Sequence, residues 1–155
     1  MIEISGDLWD YHGKPDCICC IPTNGVVTCD GRNIMGAGLA KDANHRLSTE
    51  TRKLDRLVGS LVDKGGNHVY LVEFPGCRIF TFPTKDHFRN MSSRSLICRS
   101  CRELVQLLPS GTKAVLPRPG CGLGGLDWVL VKSSMEPILV GDDFVVVSPE
   151  RKHFD

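Results

Sequence analysis

Apolar residues along the chain change their spacing several times, and each change marks an element. Residues 2–5 alternate and predict a short strand, and residues 16–21 are apolar enough to form a central one. A polar stretch over 22–35, rich in Asn, Gly and Asp, predicts a loop. Gly36-Ala37-Gly38 then opens a helix that runs through Leu39, Ala40 and Ala43. Ser48 is expected to N-cap the next helix. In that helix Leu54, Leu57, Val58, Leu61 and Val62 recur at helical spacing, and Gly65-Gly66 stops it. Residues 69–73 and 78–82 predict a hairpin turning at Pro75-Gly76. Leu96, Ile97, Cys101, Leu104, Val105 and Leu108 mark a further helix, closed by Pro109-Ser110-Gly111. A strand over 113–116, a short helix over 127–134 and a strand over 144–148 complete the pattern. Strands and helices in this order predict an α/β sandwich with a mixed sheet. With neither repeat nor linker, residues 1–155 are expected to form one domain.

Composition narrows the partners. The chain is 41% hydrophobic with a net charge of +1, which disfavours disorder and a broadly basic nucleic-acid binder. The N-terminus lacks the basic start and apolar run of a secretory leader, and no apolar run reaches ~18 residues. A cytoplasmic protein with no membrane partner is therefore expected. The eight cysteines are Cys17, Cys19, Cys20, Cys29, Cys77, Cys98, Cys101 and Cys121. Without an export signal they are read as free thiols acting as small core residues. Cys98-x-x-Cys101 leaves zinc as the alternative, but a structural site wants four ligands, usually two such pairs. Neither a metal nor a cofactor is expected.

Two loops carry the candidate chemistry. Ligands on such sheets bind beyond the strand carboxyl ends, where loops lead into helices. Asn33-Ile34-Met35-Gly36-Ala37-Gly38-Leu39-Ala40-Lys41 is one such loop, and residues 117–128 are the other. Glycines allow close backbone approach, and a helix N-terminus offers unpaired N–H groups to an anion. Two such loops on one sheet edge suit a diphosphate. Ordinary turns are the alternative for each loop singly. Gly120, Gly122 and Gly125 match G-x-G-x-x-G, but the following strand ends in Ser148-Pro149, without the acidic residue that a dinucleotide fold needs. No G-x-x-x-x-G-K-[ST] loop is present.

Taken together, the motifs resemble the macrodomain family. Gly6-Asp7-Leu8 is similar to its adenine-binding start, Thr23-Asn24 to its distal-ribose loop, and Gly36-Ala37-Gly38-Leu39-Ala40 to its first phosphate loop. Gly120-Cys121-Gly122-Leu123-Gly124-Gly125-Leu126-Asp127-Trp128 resembles the second phosphate loop. Residues 82–89, Phe-Pro-Thr-Lys-Asp-His-Phe-Arg, resemble a segment of one branch. That branch contains antitoxin macrodomains that remove ADP-ribose from DNA, and is similar to terminal ADP-ribose glycohydrolases.

The resemblance implies a three-layer α/β/α sandwich with a mixed central sheet and ADP-ribose, or an ADP-ribosylated substrate, as partner. It implies that Asp7, beside Leu8, accepts a hydrogen bond from adenine, with a turn or capping carboxylate as the alternative. It implies that backbone amides of Gly36, Ala37, Gly38, Leu39 and Ala40, and of Cys121, Gly122, Leu123, Gly124, Gly125 and Leu126, with Gly120 shaping the turn, hold the diphosphate. Asn24 would bond the distal ribose, with an Asn-Gly turn as its alternative. Lys85 is the catalytic candidate, attacking the anomeric carbon or stabilising the leaving group, with a solvated surface lysine as its alternative. His87 and Arg89 either meet a nucleic-acid phosphate, as in a short single-stranded DNA, or are plain exposed loop residues.

Two departures stand out: the interval from Asn24 to Gly36 is longer than in the antitoxin branch, and Gly124 stands where terminal glycohydrolases carry an aspartate. Asp127 nearby is equally a helix cap. The implied activity is ADP-ribosyl hydrolysis at the distal ribose of a macromolecule or of ADP-ribose-1''-phosphate. The alternative is a non-catalytic reader or scavenger of ADP-ribose.

Overall fold

The computed structural model describes residues 1–149; the last part of the expected domain, 150–155, lies outside them. Six strands and four helices alternate: β1 Ile2–Ser5, β2 Cys17–Asn24, α1 Gly38–Leu47, α2 Leu54–Gly65, β3 Leu71–Phe74, β4 Cys77–Lys85, α3 Arg94–Leu107, β5 Lys113–Leu116, α4 Trp128–Met135 and β6 Phe144–Ser148. The sheet order is β1-β6-β5-β2-β4-β3. Among these strand pairs only the β3–β4 hairpin is antiparallel. The expected mixed sheet is therefore present.

Side-chain alternation divides the core into two layers. On one face Cys17, Cys19 and Ile21 of β2 pack with Ala43 and Leu47 of α1 and Leu54, Val58 and Val62 of α2. On the other, Ile18 and Cys20 meet Ile97, Cys101 and Leu104 of α3 and Val131 and Met135 of α4. Helices thus cover both faces, which gives the three-layer α/β/α sandwich. Among the described residues no helix is long and apolar enough to cross a membrane.

Four local details differ from expectation. β2 continues through Pro22 to Asn24, and β4 runs on to Lys85. A short 3-10 turn, Leu8–Asp10, was not anticipated; Asp7 caps it by accepting a hydrogen bond from the Trp9 amide at 3.0 Å. Ser48 is the C-cap of α1, and Lys53 is the N-cap of α2. The Ser48 hydroxyl still accepts from the Leu54 amide at 2.9 Å, so it serves the helix start from one turn away.

All eight thiols are free, and Cys17, Cys19, Cys20, Cys77 and Cys101 are buried in the core; Cys29 is exposed instead. No group of three or more His, Cys, Asp or Glu side chains is placed to hold a metal among the described residues. Burial pushes the thiols of Cys19, Cys77 and Cys101 from an ordinary 9.0 up to about 12. The folded chain therefore keeps these protons to higher pH than the unfolded chain. Their contribution to stability is complete below pH 9.0 and is lost as pH rises towards about 12. Denaturation midpoints should fall across that window, and Cys101→Ala should flatten the fall; an unchanged slope in the variant would refute this cause.

Candidate functional site

The carboxyl ends of β2, β4, β5 and β6 open into one cleft of about 810 Å³. Parallel pairing sets its chemistry. Thr23 pairs with Pro83, a register shift follows, and Asn24 then lies beside Lys85. The two catalytic candidates are thus neighbours on adjacent strands, and both line the cleft.

The backbone at Lys85 is held from several sides. Ser100 Oγ donates to the Pro83 carbonyl at 2.7 Å, the Ser93 amide to Thr84 O at 2.8 Å, and Asn67 Nδ2 to Lys85 O at 3.2 Å. The Gly25 amide donates to Asp86 O at 3.0 Å. The lysine side chain is half-buried and forms no ion pair among the described residues.

Asn24 organises its own loop. Its Nδ2 donates to Ile34 O at 2.8 Å, and its Oδ1 accepts from the Val26 amide at 3.0 Å and from Asn33 Nδ2 at 3.3 Å. One N–H of the amide is left for a ligand. Asn33, buried, also donates to Asn24 O and Val26 O, both at 2.9 Å. The loop rests on α2 at Gly59, where a Cβ would overlap Gly31 O and lie 2.8 Å from Asn33 N. Gly59→Ala should therefore lift the loop, costing about 1–3 kcal/mol of stability and weakening ligand binding in the cleft. Urea denaturation together with ligand titration checks this, and wild-type behaviour in both would refute it.

Each glycine loop presents a row of unpaired amides. Among the described residues, the N–H groups of Gly36 to Ala40 donate to no protein acceptor; the first helical bond of α1 is from Lys41 to Ala37 O. Ala37, the N-cap, supplies no side-chain cap. In the second loop, Cys121, Gly125 and Leu126 spend their amides on Arg118 O, Gly122 O and Gly120 O. Those of Gly122, Leu123 and Gly124 stay free among the described residues. The loops meet where Leu123 Cδ1 comes within 3.7 Å of the Cβ position of Gly38. Two rows of free amides on one cleft, one at a helix N-terminus, suit a diphosphate.

Charge favours an anion as well. Among the described residues no Asp or Glu lines the cleft, whereas Lys85 and Arg118 do. Arg118 lies over the Trp128 ring at 5.2 Å, and its buried Nε has no protein partner among the described residues. Trp128 is fixed by donating from Nε1 to Glu3 Oε1 at 2.8 Å. Burial raises the Cys121 thiol, so it is a poor nucleophile at neutral pH.

Ser92 joins the second loop to the Lys85 segment. Its amide donates to Gly124 O at 3.0 Å, while its buried hydroxyl lacks a protein partner among the described residues. A Cβ at Gly124 would overlap that hydroxyl and lie 2.6 Å from Gly120 O. Asp127, the nearest carboxylate in sequence, caps α4 by accepting from the Val129 amide at 3.0 Å. At the rim His87 and Phe88 stack at 4.4 Å, with Arg89 5.5 Å from the Phe88 ring.

Of the residues singled out in the sequence, Asn24, Lys85, Gly36 to Ala40, Gly120 to Gly124 and Leu126 come together in the cleft. Asp7, Leu8 and Gly125 are not among its lining residues; Leu8 is buried in the core. Ile34, Thr84, Phe88, Arg118 and Trp128 line it from within the motifs singled out, without an individual role having been expected of them, and Ser92 and residues 147–149 line it from outside those motifs. The strand-end rule applied to β6 would have found the last three. Nothing local in the sequence marks Ser92.

No protein-family model matches the sequence, and neither does any curated protein. Solved structures do match. The macrodomain of Thermus aquaticus DarG is 20% identical with a TM-score of 0.70, covering 97% of each chain. The macrodomain of Mycobacterium tuberculosis DarG is 22% identical with a TM-score of 0.68, again covering 97% of each. Thermosipho africanus DarTG, solved in complex with ADP-ribose, is 23% identical with a TM-score of 0.70 over 99% of this chain and 42% of that one.

Proposed function

On the premise that this chain has the macrodomain fold, we propose that its cleft binds ADP-ribose and that Lys85 promotes hydrolysis at C1'' of the distal ribose. The observation that carries this reading is the pair of unpaired amide rows with Lys85 and Asn24 side by side on the same cleft. The complex of Thermosipho africanus DarTG with ADP-ribose supports the choice of ligand.

In this reading the diphosphate lies between the free amides of 36–40 and 122–124. The remaining N–H of the Asn24 amide holds the distal ribose. Arg118 Nε supplies a further donor. Asp7 accepts from adenine with the carboxylate oxygen that Trp9 does not use.

Cleavage at C1'' builds oxocarbenium character in the ribose and negative charge on the leaving group. As an ammonium, Lys85 stabilises or protonates that leaving group. As a free amine it attacks C1'' and forms a covalent adduct that water then resolves. With no carboxylate among the described lining residues, the lysine works without an acidic partner there. The substrate is an ADP-ribosylated DNA base or protein carboxylate, or ADP-ribose-1''-phosphate. The stacked His87 and Phe88 with Arg89 suit a base and phosphate of short single-stranded DNA at the rim.

The lack of a lining carboxylate, together with the three hydrogen bonds already made by the Asn24 amide, favours a second reading as a non-catalytic ADP-ribose reader or scavenger. Calorimetric titration with ADP-ribose, NAD and AMP tests the part common to both. Micromolar binding of ADP-ribose, with NAD and AMP much weaker, is expected. Absence of binding, or equal affinity for NAD, would overturn both.

A further inference from the structure

A second cavity, of about 570 Å³, lies where the end of α1 meets the start of α2. Lys41, His45 and Ser48 share one face of α1 through their i, i+4, i+7 spacing. Lys53 and Arg56 come from the start of α2, and Arg32 from the loop beside it. Four Lys and Arg side chains and a histidine thus surround one lining carboxylate, Asp55. Just outside, Asp30 pairs with Arg32 at 3.0 Å and with Arg56 at 3.7 Å, one carboxylate shared by two guanidiniums. Lys41, His45 and Lys53 form no ion pair among the described residues. In a protein of net charge +1, such a concentration is not a consequence of composition.

The first-turn amides of α2 are not what this cavity offers. The Leu54 amide donates to Ser48 Oγ at 2.9 Å and the Asp55 amide to Asn44 Oδ1 at 3.0 Å. The recognising groups are the side-chain cations themselves. A concave wall with more cations than carboxylates raises the local potential, and an anion relieves it. Among the described residues no Phe, Tyr, Trp or aliphatic side chain lines the cavity, so it has no surface for an acyl chain, and its one ring is the His45 imidazole. Ammonium groups meet phosphate as point charges, and guanidiniums meet it with two parallel donors.

We propose that this cavity is a second anion site, which takes two or more adjacent phosphate groups, either of a free polyphosphate or along a polynucleotide strand. It lies on the same loop as the main cleft: Arg32 precedes Asn33, the residue that braces Asn24.

Backbone-amide NMR of the full chain, titrated with tripolyphosphate and separately with a short single-stranded oligodeoxynucleotide, tests this. Both titrations are run with ADP-ribose in excess. Saturable shifts are expected at residues 41–56, weakened at least about tenfold in Lys53→Glu and by rising salt. The variant's ADP-ribose titration should remain as in wild type, because Lys53 does not line the cleft. A response to tripolyphosphate alone assigns a free anion, and a response to the oligonucleotide assigns the strand. Shifts confined to 36–40 and 120–126, or undiminished shifts in the variant, would overturn the site.

Discussion

Lys85→Ala is expected to cut turnover of an ADP-ribosylated substrate by at least about a hundredfold and to change ADP-ribose affinity only a few-fold. The split follows from the geometry. Lys85 sits beside Asn24 at the end of β4, while the amides that would hold the diphosphate belong to other segments. On the proposed reading, removing its side chain takes away the group that would act on the reacting bond and leaves the two rows of amides whole. The strand end is fixed by hydrogen bonds to the main chain at Pro83, Thr84 and Lys85, which the substitution does not touch. Steady-state kinetics on ADP-ribosylated DNA and protein, beside calorimetry of both proteins, measures the two effects separately. Borohydride trapping distinguishes the two roles of the lysine, because an amine that attacks C1'' leaves a reducible adduct on Lys85. Undiminished turnover in the variant would sink the catalytic assignment. A wild-type chain that binds ADP-ribose but turns over none of these substrates would leave the reader.

The second large effect is expected from Gly124→Asp. If this position only lacked the acid expected there from the resemblance to terminal glycohydrolases, restoring it should help the proposed catalysis. The packing says the opposite. Any Cβ at 124 would overlap Ser92 Oγ and approach Gly120 O to 2.6 Å, and the carbonyl belongs to the backbone of the same loop. The loop must shift, and the free amides of Gly122, Leu123 and Gly124 shift with it. ADP-ribose affinity should fall by about a hundredfold or more, near 2.7 kcal/mol. Gly124→Ala should already show much of this loss. Adding Ser92→Gly should recover only part, since it removes the hydroxyl and leaves the Gly120 carbonyl in place. Affinity equal to wild type in Gly124→Asp would show that the loop yields more readily than its contacts indicate.

The layered α/β architecture and both glycine loops were legible from apolar spacing and turn residues. The ends of β2 and β4 were not, and the reason is specific. Prolines are poor guests in a central strand, so Pro22 reads as a terminator. In the fold, β5 pairs with β2 only from Cys17 to Cys19, and β3 pairs with β4 only from Cys77 to Phe80. Beyond those points, and past the Thr81 amide's bond to Tyr70 O at 2.9 Å, the two strands pair with each other, and Pro22 and Pro83 sit where one neighbour has already ended. The ends of β5 and β3 therefore set how far these strands run, and that information lies elsewhere in the chain.

Asp7 and Ser48 illustrate a different limit. A capping residue type was recognisable at each, but its partner was not. Asp7 caps a 3-10 turn, and Ser48 caps a helix from outside its end. Ser92 gave no signal at all, because its importance arises only where two segments distant in sequence come into contact.

Recognition of an anion by main-chain N–H groups has an evolutionary consequence. Every residue except proline carries that donor, so most side chains in the two loops can be exchanged without removing a single ligand contact. Selection acts on the few positions where a Cβ does not fit and on the path of the backbone. If the proposed site is of this kind, it tolerates sequence drift far longer than one built from side chains; the fold itself is recognisable in three dimensions at the 20–23% identity found here.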